Sequence, residues 1–297
     1  MHFNDREEII VLTPQWKGER LPDGRPKVED RYLQALYGMT LEEVWKPIFV
    51  KGYENQFEGR LRTLHSGKKL VGRAVTCTFA PTRPDLHETL FALGQEEGRH
   101  GNYNQWVVDS LTEGDVLVAD MYDKIYKGTF LGGNLTTAVK TRTKTGGAVI
   151  WGGVRDLEQM EKVDTQVYFR GIDPTPIREV VMLGFNTATR IGGAICLPGD
   201  VVFGAGGGVL FIPSHLVAEV VDGAAKTHVK DIFGFEMITA NIFTTAQIDR
   251  AVWTEDMLDR LMDFIQKDPR GEAYRSLDWS GEYAAAREGS SEGQTML

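Results

Sequence analysis

Cysteine is nearly absent from this chain: Cys77 and Cys196 are the two in 297 residues. Both stand inside apolar, strand-like runs, where a thiol usually serves as a small buried hydrophobe. That scarcity excludes a disulfide framework and a cysteine-rich zinc cluster, and it fits a reducing compartment. Basic charge is also short. With 33 Lys+Arg against 42 Asp+Glu, the formal charge is -9 at pH 7, so the chain as a whole repels a polyphosphate and nucleic acid is a poor partner for it. No uninterrupted apolar run approaches the roughly 20 residues of a membrane-spanning helix. The opening MHFNDREEII carries acids where a signal peptide needs a basic region. A cytoplasmic protein that engages neither membrane nor nucleic acid is expected. Two further absences narrow the chemistry. No lysine lies inside an apolar strand, as a Schiff-base enzyme would want, and no glycine-threonine-histidine turn is present to carry a phosphoryl group.

What is present divides by texture. Residues 1–68 are polar and punctuated by proline and glycine, with WKGERLPDGRPKVED reading as an irregular arm rather than a packed element. Two short helices are expected next. VEDRYLQALYG places Tyr32, Leu33, Leu36 and Tyr37 at helical spacing, and Thr40 with Glu43 forms a capping-box pattern that opens TLEEVWKPI. From Lys69 onward, short β-branched runs bounded by glycine alternate with helical stretches, the pattern of an α/β or layered α+β domain. KLVGRAVTCTFAP, GDVLVADM, GAVIWGGV, TQVYFRGI, AICLPGDVVF and GVLFIP read as strands. NLTTAVKTRTKTG and SHLVAEVVDGAAKTHVKDIFG read as helices, the second with Ser214 as N-cap. The α/β core is therefore placed at 69–240. Within it, residues 82–113 form a partly helical insertion, long for a plain connection, in which His87, Glu96, Glu97 and His100 are acid–base types on a polar loop surface or a lid. Residues 241–297 make a C-terminal helical segment and a tail. TEDMLDRLMDFIQKD aligns Met257, Leu258, Leu261, Met262 and Ile265 on one face, and AAAREGSSEGQTML reads as disordered.

Two segments carry chemistry. In KGTFLGGNLTTAVK, a glycine pair stands directly before a helix, so the first backbone N–H groups have no intrahelical partner. Gly133, Asn134, Leu135 and Thr136 can then cradle a carboxylate or phosphate, the helix dipole adding about 0.3–1 kcal/mol. A tight strand-to-helix turn is the plainer reading of the same residues. In GGAVIWGGVRDLEQ, a buried strand ends abruptly in Arg155 and Asp156, at the strand end where ligands bind in α/β sheets. Arg155 offers a planar fork for a carboxylate, a bond worth roughly 1.5–3 kcal/mol. Asp156 offers a hard oxygen to Mg²⁺ or Mn²⁺. Alternatively the two cap the following helix and bind each other. Lys124 and Lys127, in DMYDKIYKG, run into the glycine turn, where either can polarise a substrate oxygen or lie solvated on a loop.

Taken in order, the glycine turn, the helix, the strand ending VRD and the segment PGD...GGGVLFIP make the chain resemble the RraA-like family, which includes 4-hydroxy-4-methyl-2-oxoglutarate aldolase and the regulator of ribonuclease E activity. Gly133 stands 22 positions before Arg155, the family's interval, and TLEEVW and GDVLVAD also fit. The resemblance covers roughly residues 69–235. It implies a layered α/β sandwich of the swivelling-domain-like type, here with a helical N-terminal extension, assembled as a homotrimer or dimer of trimers with its site at the subunit boundary. It further implies that Gly133, Asn134, Leu135 and Thr136 bind a substrate carboxylate, that Arg155 binds substrate oxygens and that Asp156 ligates Mg²⁺ or Mn²⁺. Asn134 and Gln159 stand where the family usually has acidic residues, and Ala205 and Gly207 where aspartates are usual, so replacement groups such as Lys127 are sought elsewhere. The expected function is a divalent-metal-dependent lyase, aldolase- or decarboxylase-like or a dehydratase, acting on a small 2-oxo or hydroxy carboxylic acid. The alternative is a non-catalytic regulator of the ribonuclease E inhibitor type.

Overall fold

The β-branched runs after Lys69 assemble into a ten-stranded mixed sheet in a computed structural model that describes residues 3–288. Contacts divide the chain into two compact units, Met1–Val220 and Val221–Leu297. The first unit begins with helices α1 (Arg6–Leu12), α2 (Asp30–Leu36) and α3 (Leu41–Phe49). Asp5 caps α1 by accepting from the Glu7 and Glu8 amides, and Thr40 with Glu43 closes the expected capping box of α3.

Short strands β1 (Phe57–Glu58) and β2 (Arg62–Thr63) precede the long β3 (Leu70–Pro81). Helices α4 (Pro84–Glu96) and α5 (Tyr103–Ser110) lead to β4 (Asp115–Asp120). Then come β5 (Thr129–Leu131), α6 (Gly133–Thr143), β6 (Gly147–Val154), α7 (Leu157–Met160) and β7 (Gln166–Ile172). The unit continues through β8 (Val180–Phe185), the β9 (Thr189–Ile191) and β10 (Ala194–Cys196) hairpin, β11 (Val201–Ala205) and β12 (Gly208–Ile212). Sheet order is β1-β12-β11-β3-β4-β6-β7-β2, with β5 against β6 and β8 against β3. The run AICLPGDVVF is thus two strands, broken where Pro198 and Gly199 turn the chain.

The centre of the sheet is parallel: β3 with β4, β4 with β6 and β6 with β7. Adjacent parallel strands need a crossover of a dozen or more residues, and residues 82–113, read from sequence as an insertion, supply it between β3 and β4. Gly94 of α4 permits this packing, since a Cβ there would lie 2.2 Å from the Trp106 ring of α5. Alternate residues of the central strands serve opposite faces. Leu117, Ala119, Ala148 and Ile150 join the core that includes Leu90, Trp106 and Val139, while Val116, Val118, Val149 and Trp151 join Ile191, Ala194 and Phe211. Both faces are buried, which is why these strands read as continuous apolar runs.

The N-terminal arm departs from expectation. It is irregular but packed: Arg25, 2 % exposed, meets the fully buried Asp115 at 2.7 and 3.2 Å through both terminal nitrogens. Asp115 also accepts from the amide and hydroxyl of Thr112, and Arg25 from its side contacts Asp23 at 2.6 Å. Proline and glycine explain the irregular backbone without implying solvation. Ser214 is likewise not an N-cap; it opens a 3₁₀ turn, Ser214–Leu216, that precedes α8 (Val217–Thr239), and its amide donates to Asp200.

In the second unit, α9 (Thr245–Ile248), α10 (Glu255–Lys267) and α11 (Ser280–Arg287) follow α8. Met257, Leu258, Leu261 and Ile265 are buried with Phe233, Trp253 and Trp279, and Met262 packs partly buried beside them. The stretch AAAREGSSEGQTML was expected to be disordered, yet its first residues complete α11; residues 289–297 lie outside the described residues. Among the described residues, no helix is long and apolar enough to cross a membrane.

Removing one partner of a buried pair strands the other's charge, so Asp115→Ala should destabilise the chain by about 3–5 kcal/mol in urea unfolding. Asp200 yields a pH signature. Burial pushes its pKa up to about 7, against the donated amides of Leu197 and Ser214. The folded chain keeps a proton that the unfolded chain has already lost. Stability should therefore decline as pH rises from the ordinary carboxylate value toward 7 and level off above it, by at most roughly 4 kcal/mol. Unfolding free energies of wild type and Asp200→Asn across that window check this, the variant showing a flatter profile.

Candidate active site

The C-terminal ends of β5 and β6 lie side by side, with Arg155 N–H donating to Leu131 O at 2.9 Å. This brings the glycine turn and the Arg155–Asp156 pair together. Asp156 adopts a left-handed backbone, φ 55° and ψ 40°, which Asp tolerates better than most residues. That bend turns its carboxylate back over the turn, where Oδ2 accepts from Gly133 N–H at 3.3 Å. Gly132 is extended and needs no special φ; its lack of a side chain matters because a Cβ would lie 2.5 Å from Asp156 Oδ2 and 3.1 Å from Arg155 Cγ.

Arg155 Nε is 3.8 Å from Asp156 Oδ2, an ion pair too long for a hydrogen bond. Among the described residues, the Arg155 guanidinium makes no side-chain hydrogen bond, and with 41 % of its side chain exposed it remains available to a ligand. At the start of α6, Thr136 N–H is already spent on Gly132 O and Gly133 N–H on Asp156. The amides of Asn134 and Leu135 are the ones left at the first turn. Thr136 is fully buried, away from the cleft lining, with an unpartnered hydroxyl.

These groups line a cleft of about 770 Å³. Gly132, Asn134, Leu135, Arg155, Asp156 and Gln159 come from the strand-end loops; His87, Phe91, Tyr103 and Asn104 come from the crossover helices; and Ile177, Arg178 and Glu179 lead into β8. Lys127 stays outside this lining. Its ammonium is bonded to the Glu179 carboxylate, with Lys124 Nζ 3.9 Å from the same group, and the Lys127 bond holds Glu179 below its ordinary pKa. Glu97 also points elsewhere, accepting from Phe3 N–H and pairing with Arg99. Neither Glu96 nor His100 lines the cleft, whereas His87 does.

Sequence reasoning did not anticipate Phe91, Tyr103, Asn104 or the 177–179 segment. They come from the crossover and the approach to β8, far in sequence from Gly133, and only the parallel pairing of β3 with β4 brings the crossover here. The one available signal was the length of residues 82–113.

As for a metal, the donors at the strand-end turn are the Asp156 carboxylate and the amide oxygens of Asn134 and Gln159, all hard oxygen, while Glu179 is bonded to Lys127. Among the described residues no three His, Cys, Asp or Glu side chains gather as a metal site. This set suits Mg²⁺ or Mn²⁺, which use one or two carboxylates and retain water, and does not suit zinc.

The mixed α/β fold, with its large sheet and flanking helices, agrees with a family model. The chain belongs to the RraA-like family (Aldolase/RraA), whose model matches residues 42–211. That family includes both aldolases and inhibitors of ribonuclease E. Among curated proteins, the chain is 27% identical over 191 residues to protein DlpA of Legionella pneumophila, a match covering 64% of this chain but only 29% of DlpA. It is 24% identical to an uncharacterized protein of Methanocaldococcus jannaschii, covering 50% of this chain and 74% of that one. Among solved structures, RraAS2 of Streptomyces coelicolor, described as an unusual member of the RNase ES inhibitor RraA family, superposes with a TM-score of 0.57 at 22% identity, covering 71% of this chain and 99% of that one. An uncharacterized protein from Pseudomonas syringae pv. tomato gives 0.60 at 20% identity, covering 75% and 98%. At these identities the structural likeness speaks for the fold alone.

The contact at Gly132 is testable. Gly132→Ala leaves the extended backbone allowed but drives a methyl against the Asp156 carboxylate, and overpacking of this kind costs about 1–3 kcal/mol. Urea unfolding should show that loss.

Proposed function

We propose that the cleft binds a small 2-oxo or hydroxy carboxylic acid and acts on it as a divalent-metal-dependent lyase. The observation that carries this reading is the uncommitted Arg155 guanidinium beside the open amides of α6, with the Asp156 carboxylate in the same cleft. A substrate carboxylate fits the Asn134 and Leu135 amides and the positive end of α6, while Arg155 clamps a neighbouring oxygen and fixes the bond to be broken. Asp156, Asn134 and Gln159 would hold the ion. Aldolases of the family are generally Mg²⁺-dependent, and Mg²⁺ or Mn²⁺ supplies Lewis-acid polarisation of the 2-oxo group and offsets the charge that builds on its oxygen.

Decarboxylation and aldol cleavage both pass through an enolate, so one arrangement serves either. The acidic groups missing at Asn134 and Gln159 favour decarboxylation over the family's aldol cleavage, since an amide is no general base and the loss of carbon dioxide needs none. A homotrimer or dimer of trimers belongs to the same reading.

Turnover of oxaloacetate and a panel of related acids with Mg²⁺ or Mn²⁺ tests this. Asp156→Ala or a chelator should abolish it, and Arg155→Ala should lower kcat/KM by roughly 10- to 150-fold, the value of one charge-assisted bond. Turnover indifferent to Asp156→Ala and to chelator would sink the lyase reading. Absence of turnover together with capture of a stoichiometric ribonuclease partner would establish the regulator instead.

A further inference from the structure

The lyase reading leaves the proton unassigned. Breaking a carbon–carbon bond to form an enolate requires a proton donor for the enolate carbon, and aldol cleavage also requires a base that removes a proton from a hydroxyl; one group can serve both. The acid–base groups lining the cleft are few. Glu179 is bonded to Lys127 and Asp156 to the Gly133 amide. Tyr103 is 4 % exposed, and burial pushes its pKa up to about 12, so its hydroxyl stays protonated.

Resting on that reading, we propose that His87 is the catalytic acid–base group of this cleft. It lies on the first turns of α4, half-buried, and lines the same cleft as Asn134, Arg155, Asp156 and Gln159. Its Nδ1 is 3.0 Å from the Tyr103 hydroxyl, which is also 3.4 Å from the His87 carbonyl oxygen. This double contact accommodates every protonation state of the ring. With Nδ1 bare, the tyrosine donates to it; with Nδ1 protonated, the ring donates to the tyrosine oxygen while the hydroxyl turns to the carbonyl. Among the described residues Nε2 has no protein partner, so it is the nitrogen free to meet a substrate. Edge-on packing of Tyr103 against His87, Phe91 and Trp106 fixes the ring plane.

Asn104 belongs to the same lining. Asn104, 5 % exposed on the same wall, donates its amide to Phe130 O at 2.9 Å and leaves Oδ1 buried without a partner. In aldol cleavage, Nε2 takes the hydroxyl proton as the carbon–carbon pair passes into the enolate, and the imidazolium returns that proton to the enolate carbon. In decarboxylation, carbon dioxide leaves and the imidazolium, recharged from solvent, supplies the proton. Neither route needs a further reactant.

The charged and titratable groups that share the cleft with His87 are Tyr103 from α5, Arg155 and Asp156 from the end of β6, and Arg178 and Glu179 before β8. With oxaloacetate and Mn²⁺, His87→Gln should lower kcat by on the order of a hundredfold with KM little changed, and should erase one ionisation from the pH profile of kcat/KM. Tyr103→Phe should shift that ionisation without erasing it. Ring resonances of His87, assigned by the same substitution, should change their titration when oxalate and Mg²⁺ bind. Unchanged unfolding midpoints show that the variants fold. Wild-type kcat and pH profile in His87→Gln, with Asp156→Ala inactive, overturns the role of His87 while leaving the lyase site intact. His87 resonances indifferent to oxalate that binds in an Arg155-dependent way do the same. If oxalate does not bind and nothing turns over, the lyase reading fails and His87 falls with it.

Discussion

A strand buried on both faces carries charge only where a partner meets it, as Arg25 meets Asp115 of β4, and β6, with eight buried positions from Gly147 to Val154, carries none. The first place where a charged side chain can follow is the strand's end, where Arg155 and Asp156 stand. Their position is a consequence of desolvation as much as of chemistry. The neighbouring β5 ends at Leu131, before the glycine pair, and the two ends are level because they pair in parallel. Hence the glycine turn and the charged pair meet without any long-range design beyond the sheet itself.

Much of the sheet was legible because burial on two faces leaves an unambiguous mark, a run of Val, Ile, Leu and Ala without alternation. Strands β3, β4, β6, β7 and β12 fall where those runs do. Short strands left less of a mark: β8 has six residues with Leu183 exposed, and β9 has three. Arg25 sits in a stretch whose composition suggests solvation, and nothing local reveals that Asp115, 90 positions on, pairs with it. Such a pair is visible only once β4 and the arm are in place.

The candidate site divides along the same line. Gly133, Arg155 and Asp156 were legible because two short, contiguous segments bear them at a fixed interval. Thr136 and Lys127 were placed less well, since a position list cannot tell which amides the helix consumes or that Glu179 captures the lysine. Phe91, Tyr103 and Asn104 gave no motif at all. Their part in the cleft follows from packing of α4 and α5, and an aromatic at helical spacing reads first as core, which Tyr103 also is.

The crossover between β3 and β4 therefore has two duties of different stringency. As a covalent tie it cannot be removed without unmaking the parallel pairing of the sheet, but its length and surface are constrained only where α4 and α5 press on the core. A chimaera that swaps residues 82–113 would therefore exchange His87, Phe91, Tyr103 and Asn104 as one piece while leaving the strand ends as they are.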